Sequence, residues 1–223
     1  MRADMQIHRD VLAELVWDPR VRQKEIAVAI SDGVVTLTGS VSSYAEKVAA
    51  EHAAERVAGV RAVANSLTVA PPQISVEYTD TDLAHAVADA LSWDIQVPDD
   101  QITASVTNGW VTLDGAVEWQ YQRDAAEHAV QQLAGVYGVN NNITLTAKGV
   151  SAADVSLSIK QALERRADRI ADGVGVAVST TNGVVTLSGS VASYGDRRAI
   201  ESAAWMAPGV TDVRDELTVS LGA

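Results

Sequence analysis

Three glycine-punctuated stretches invite a chemical reading first: SDGVVTLTGSV at 31–41, TNGWVTLDGAV at 107–117 and TNGVVTLSGSV at 181–191. A loop that cradles phosphate aims successive backbone amides at one anion. Between Gly33 and Gly39, however, Val34, Val35, Thr36, Leu37 and Thr38 specify extended strand, so the stretch is a hairpin and not a nucleotide loop. The histidines are His8, His52, His85 and His128; only His52 and His128 are equivalent in the repeat described below, and a general base or metal ligand needs converging partners. Asp80-Thr81-Asp82 and Asp99-Asp100 lack the spacing of a calcium loop and read as helix-capping and turn residues. The chain has no cysteine, hence no disulfide and no thiolate site. No catalytic residue, metal or cofactor is assigned, and an enzyme is not expected.

What repeats is the frame around those turns. Gly33, Gly109 and Gly183 are followed six residues later by Gly39, Gly115 and Gly189, and twenty residues after those by Gly59, Gly135 and Gly209, each preceding a valine. Val63, Val139 and Val213, then Leu67, Ile143 and Leu217, keep the same offsets. Three copies in register indicate one fold repeated. The boundaries fall near the paired prolines Pro71-Pro72 and near Lys148-Gly149, which divides the 223 residues into 1–72, 73–148 and 149–223.

Each copy reads as αββαβ. Ile7, Val11 and Leu15, with Leu83, Val87, Leu91 and Val155, Ile159, Leu163, carry a helical period. Asp4 and Asp80 are expected to cap these first helices. Alternating apolar residues on either side of Asp32-Gly33, Asn108-Gly109 and Asn182-Gly183 predict tight hairpins, with Gly39 releasing the strand toward the second helix. Ser43-Tyr44-Ala45-Glu46 predicts a capping box, as does Ser193 with Asp196, and the glycine at 59, 135 or 209 closes the second helix. Glu51, Glu127 and Glu201 stand four residues after Lys47, Arg123 and Arg197 and predict one surface ion pair per copy. The fold class is α+β: three tandem modules, each a three-stranded mixed sheet with two helices on one face. The other face is expected to be uncovered, presenting Val34, Thr36 and Thr38, then Trp110, Thr112 and Asp114, then Val184, Thr186 and Ser188.

Charge narrows the partners. The formal net charge is −12, which opposes a nucleic-acid backbone, and no GxxG loop with basic flanks is present. Residues 73–148 hold only two of the basic residues against eleven acidic ones. Cationic clusters are confined to the end modules: Arg20, Arg22 and Lys24; Arg165, Arg166 and Arg169; Arg197 and Arg198. These, with Trp110, are the candidate contacts to lipid or a partner; Trp110 by default packs against a neighbouring module. An acidic middle between more basic ends also favours self-association. The charged N-terminus, MRADMQIHRDVLAELVWDP, offers no signal-peptide core, and no apolar run spans a bilayer, so a cytoplasmic chain is expected.

The αββαβ order, the signature D/N-G-x-V-T-L-x-G, the Gly-Val closing each second helix and the third strand around VANSLTV together resemble the BON domain, the module named for bacterial osmotically inducible and nodulation proteins. The resemblance spans nearly the whole chain in three copies. It implies a non-enzymatic protein of osmotic and envelope stress that contacts phospholipid membranes or proteins, or that acts as a chaperone-like or self-assembling scaffold.

Overall fold

A computed structural model describes residues 4–70, 78–146, 152–164, 176–191 and 194–219. The first module runs α1 (Asp4–Trp17), β1 (Ile26–Ser31), β2 (Val34–Val41), α2 (Tyr44–Glu55) and β3 (Ala62–Val69). The second runs α3 (Asp80–Trp93), β4 (Ile102–Thr107), β5 (Trp110–Val117), α4 (Gln120–Gln131) and β6 (Gly138–Leu145). The third runs α5 (Ala152–Glu164), β7 (Val176–Thr181), β8 (Val184–Val191), α6 (Tyr194–Trp205) and β9 (Asp212–Val219). Each module builds its own three-stranded sheet with its strands in chain order. In the first, β1 and β2 are antiparallel from Ser31 opposite Val34 to Ile26 opposite Gly39, and β2 and β3 are parallel from Val34 opposite Ala62 to Val41 opposite Val69. The third repeats both registers residue for residue. Because a parallel neighbour cannot be reached by a tight turn, the crossover must carry a helix, and α2 or α6 supplies it.

The core lies between that sheet and its two helices. In the first module Ile7, Val11 and Leu15 of α1 meet Val35, Leu37 and Val41 of β2, Leu67 of β3 and the alanine stripe Ala49, Ala50, Ala53 and Ala54 of α2. Alanine at four buried positions lets that helix lie close on the sheet. In the third module Val155, Ile159, Val185, Leu187, Val191, Ile200 and Leu217 do the same, with Trp205 partly buried against them. In the second, Leu83, Val87, Leu91, Val111, Leu113, Val117, Val130 and Ile143 are buried at the matching positions. Each large side chain taken from water contributes about 1.5–3 kcal/mol.

By contact density the chain falls into two compact units, residues 1–93 with 104–112 and 127–140, and residues 94–103 with 113–126 and 141–223. Within the first unit, Tyr44 at the start of α2 is hydrogen-bonded to the backbone of Val139. Its phenol pKa is raised by burial first and then by the charges of Glu127 and Glu51.

The hairpins fold as their residues require. Asp32 and Gly33 have φ of 51° and 77°, Asn108 and Gly109 of 53° and 74°, Asn182 and Gly183 of 50° and 80°: positive at both positions, the mark of a type I′ turn. Two expectations are corrected. Asp4 and Asp80 are the first residues of their helices, yet their carboxylates are engaged 28 residues away: Asp32 and Gly33 donate their N–H groups to Asp4 at 3.0 and 3.2 Å, and Asn108 and Gly109 donate theirs to Asp80 at 2.7 and 2.9 Å. The cap of α3 is Thr79, whose Oγ1 accepts the Asp82 N–H while the Thr79 N–H and hydroxyl donate to the Asp82 carboxylate. Gly39 does not release the strand, which continues to Val41; it is glycine because a Cβ there would strike the Glu25 carbonyl.

Replacing Asp80 by Ala should cost about 1–3 kcal/mol, since two amides lose a charged acceptor. Hydrogen exchange at Asn108 and Gly109 should accelerate, while the Asp32-Gly33 turn of the first module stays as it was.

Candidate functional site

Strand alternation leaves one face of each sheet open, as expected. In β1 and β3 of the first module Ala27, Ala29, Ala62, Ala64, Ser66 and Thr68 are exposed, with Val34 and Thr38 from β2 beside them. This surface is small-residue, uncharged and shallow. The second module differs, because Trp110 stands where the others have Val34 and Val184. Its indole lies on its own sheet across Gly138, where a Cβ would collide with the ring, and it remains 49% exposed. The positions equivalent to Gly138 are Ala62 and Asp212. Tyr137 and Tyr78 are seated the same way, against Gly109 and Gly135. The second module thus bears three half-exposed aromatics, each backed by a glycine.

A second surface is formed where the first helix of a module ends. Trp17 closes α1 and is 83% exposed, beside exposed Val16; at the same place in the second module Trp93 is 88% exposed and Ile95 wholly so. Neither indole was singled out from the sequence. The signal was there: Trp17 lies two positions beyond Leu15, about 200° around the helix from the buried line.

Two carboxylates of the first module are buried, Asp18, which follows Trp17 in the chain, and Glu46 at the start of α2, each only 5% exposed. Asp18 accepts from Arg20 Nε at 2.9 Å and Nη2 at 2.8 Å, from the Arg20 N–H at 3.1 Å and from Arg56 Nη2 at 3.1 Å; Arg56 Nε also reaches Glu14 at 2.8 Å. The Arg20 guanidinium, aided by its own amide and by Arg56, holds the Asp18 carboxyl well below the usual carboxylate range against the opposing effect of burial. Glu46 accepts from Ser42 N–H at 2.9 Å, Ser42 Oγ at 2.8 Å and Arg22 N–H at 2.7 Å, while its own N–H donates to Ser43 Oγ. Burial raises its pKa, but these donors and the Arg22 charge outweigh it, and the net direction is down. So the capping box forms with its glutamate turned to Ser42 and to the loop. The second module has Gln122 and Gln96 at the positions of Glu46 and Arg20. Gln122 accepts from Glu118 N–H and Trp119 N–H, and Asp94 accepts only the Gln96 N–H among the bonds described.

The cationic residues singled out in the sequence separate accordingly. Arg20 and Arg22 pair with buried Asp18 and Glu46 yet keep 63% of their side chains exposed, and both follow Trp17 closely along the chain. Lys24 is exposed beside them in the turn Gln23–Glu25. Arg197 is tied to Asp215, next to exposed Arg198. Arg165, Arg166 and Arg169, like the Ser193 cap, lie outside the described residues. The Lys47 and Glu51 side chains are turned to the last strand, Lys47 donating to the Leu67 carbonyl at 2.8 Å and Glu51 accepting from Asn65 at 3.0 Å. Asn65 also donates to the Lys47 carbonyl, and Asn141 donates to the Arg123 carbonyl, fastening the last strand to the helix above it. Among the described residues no group of three His, Cys, Asp or Glu could hold a metal ion, and no helix is long and apolar enough to cross a membrane.

Comparison with known proteins agrees with the repeat. The family described as the BON domain matches residues 3–71, 79–147 and 151–220. Osmotically-inducible protein Y of Escherichia coli (strain K12) is 32% identical over 143 residues, 63% of this chain and 71% of that protein. Among solved structures, CdsD, a structural protein of the type III secretion system of Chlamydia trachomatis, is 14% identical over 97% of this chain and 93% of its own, with a TM-score of 0.27. The PrgH periplasmic domain is 12% identical over 95% of this chain and 100% of its own, with a TM-score of 0.23. Those scores are too low to support inference from either structure.

The buried carboxylates carry a pH consequence. Both have folded-state pKa values below their unfolded ones, so their stabilisation is complete above the unfolded values, about 4, and is lost as pH falls below them. Hydrogen exchange should therefore show the first module weakening from about pH 4 downward, and Asp18→Asn with Glu46→Gln should flatten that dependence at a cost in stability at neutral pH.

Proposed function

Since the chain belongs to the BON domain family, as three tandem copies of its module, we propose that it is a non-catalytic bacterial osmotic-stress protein that settles on anionic phospholipid surfaces through the corner at the end of α1. The osmotic context follows its relative, osmotically-inducible protein Y. The observation that carries the membrane contact is Trp17, 83% exposed beside Val16 and followed within seven residues by the exposed cations Arg20, Arg22 and Lys24. Tryptophan favours the interface between headgroups and acyl chains, and each exposed cation near an anionic leaflet contributes about 1 kcal/mol. Because Asp18 and Glu46 are buried beneath the guanidinium groups, a lipid phosphate meets the cations first. The surface is small, so the expected contact is reversible. Its chemistry is the same on either side of the bacterial inner membrane, and cell fractionation distinguishes cytoplasm from periplasm.

A second reading rests on Trp110. A half-exposed indole lying flat on an open sheet is suited to receive an apolar segment of another chain, as a chaperone-like holder would. Light scattering of an aggregating client, with parent chain and with Trp110→Ala, tests it; equal protection by both would remove Trp110 from that role.

Flotation with vesicles tests the membrane reading. Binding should require anionic lipid and fade with salt, and Trp17→Ala should weaken it about tenfold, the equivalent of about 1.4 kcal/mol. Trp93→Ala, in the acidic module, should leave it unchanged. No binding to any vesicle would remove this function.

A further inference from the structure

An asparagine followed by glycine is the dipeptide that most readily loses its side-chain amide, because a glycine nitrogen has no neighbouring side chain to hinder its attack on the asparagine Cγ. The chain carries Asn-Gly at 108–109 and at 182–183, each at a hairpin tip. At the second-module hairpin Asn108 is exposed, yet the group that would attack it is held. The Gly109 N–H donates to Asp80 Oδ1 at 2.9 Å, and the Asn108 N–H donates to the other oxygen of the same carboxylate at 2.7 Å. Gly109 is itself buried beneath the Tyr137 ring, which a Cβ at that position would strike. Asp80, Asn108, Gly109 and Tyr137 all belong to one compact unit.

Ring closure needs the Gly109 nitrogen stripped of its proton by hydroxide or another base, with its lone pair turned toward Cγ of Asn108. The carboxylate opposes both steps. An N–H held in a charge-assisted bond is not offered to a base in solvent, and negative charge developing on that nitrogen would face the charge of Asp80 at hydrogen-bond distance. With φ positive at both turn residues, the peptide between them cannot rotate toward Cγ unless the turn opens. We propose that Asn108 is a deamidation site of this chain and that the Asp80 carboxylate is the group that restrains it. When the clamp opens, the Gly109 nitrogen bonds to Cγ, ammonia leaves, and water then opens the succinimide at one of its two carbonyls. Attack at Cγ gives aspartate, and the module then carries the Asp-Gly turn that the first module already holds on Asp4. Attack at the main-chain carbonyl gives isoaspartate, which lengthens the backbone by one carbon inside a two-residue turn and undoes the strand pairing that the turn sets. Either product adds a negative charge.

Peptide mapping by mass spectrometry, on the full chain incubated for weeks at mildly alkaline pH, reads the conversion directly, and the Asn182-Gly183 peptide of the same sample serves as its internal clock. The parent should convert slowly at Asn108, and Asp80→Ala should speed conversion about tenfold, the equivalent of about 1.4 kcal/mol. Asp80→Asn, whose side-chain oxygen still accepts an amide but carries no charge, should fall between the two. Val130→Ala, which loosens the core of the same module and leaves the clamp in place, should convert at the parent rate, with circular dichroism reporting that each variant is folded. Asp80→Ala converting no faster than the parent, or Val130→Ala converting as fast as Asp80→Ala, would overturn the proposal, the second outcome because general loosening and not the carboxylate would then set the rate.

Discussion

Each module hangs on its hairpin turn. Both turn residues sit at positive φ, which closes two strands with only two residues and fixes their pairing from the tip outward. In the first module that pairing sets Ser31 against Val34 and carries through to Ile26 against Gly39. A slip of one residue would turn Val35 and Leu37 from the helices to water. The parallel strand then reads its register from β2, and α2 lies on the surface so formed. The turn also leaves two amides pointing outward without a strand partner, and in the first and second modules the first helix meets them with an aspartate. That bond connects the first element of the module to the tip of its hairpin.

How far this could be read from sequence depends on the range of the forces involved. Glycine offsets, apolar periods and turn dipeptides are local, and they specified the element order and the face that faces the core. The clamp by Asp4 and Asp80 was misread because an aspartate at a helix start has a local use, capping, and nothing nearby discloses that its partners lie 28 residues on. The burial of Asp18 and Glu46 was not legible, because although Arg20 and Ser42 are local donors, Arg56 and Arg22 reach them from 38 and 24 residues away. The Lys47 and Glu51 pair, plausible on an isolated helix, turns instead to the strand below, where carbonyl and amide groups offer better partners. The candidate surface was half legible. Arg20, Arg22 and Lys24 stood out by charge, and Trp110 by its place in the alternation. Trp17 and Trp93 did not, since a tryptophan at a helix end is ordinarily assigned to packing.

The three copies share a skeleton and diverge in what they show to solvent. The first module buries carboxylates and exposes guanidinium groups, whereas the second carries neutral glutamines at the Glu46 and Arg20 positions and a fringe of aspartates. Among the described residues, only the second module seats aromatics on glycines, a pairing that lets a large ring lie flat on a sheet. Divergence changes charge at corners and open faces but stays apolar in the core, where Ala54 is matched by Val130 and Ala50 by Ile200, so surface chemistry can change while the fold is kept.

One feature of the first module bears on how such a chain folds. Neighbouring modules of like sequence can exchange elements and become trapped in mispaired forms. The clasp of Glu14 and Asp18 on Arg56 works against this. Were α1 to dock on the second module's sheet, Gln132 would stand in place of Arg56, leaving Glu14 without its guanidinium and Asp18 with one of two. Were α3 to dock on the first, Arg56 would find Ala90 where Glu14 belongs. The mismatch acts as a key that sorts α1 and α3 between the first two sheets.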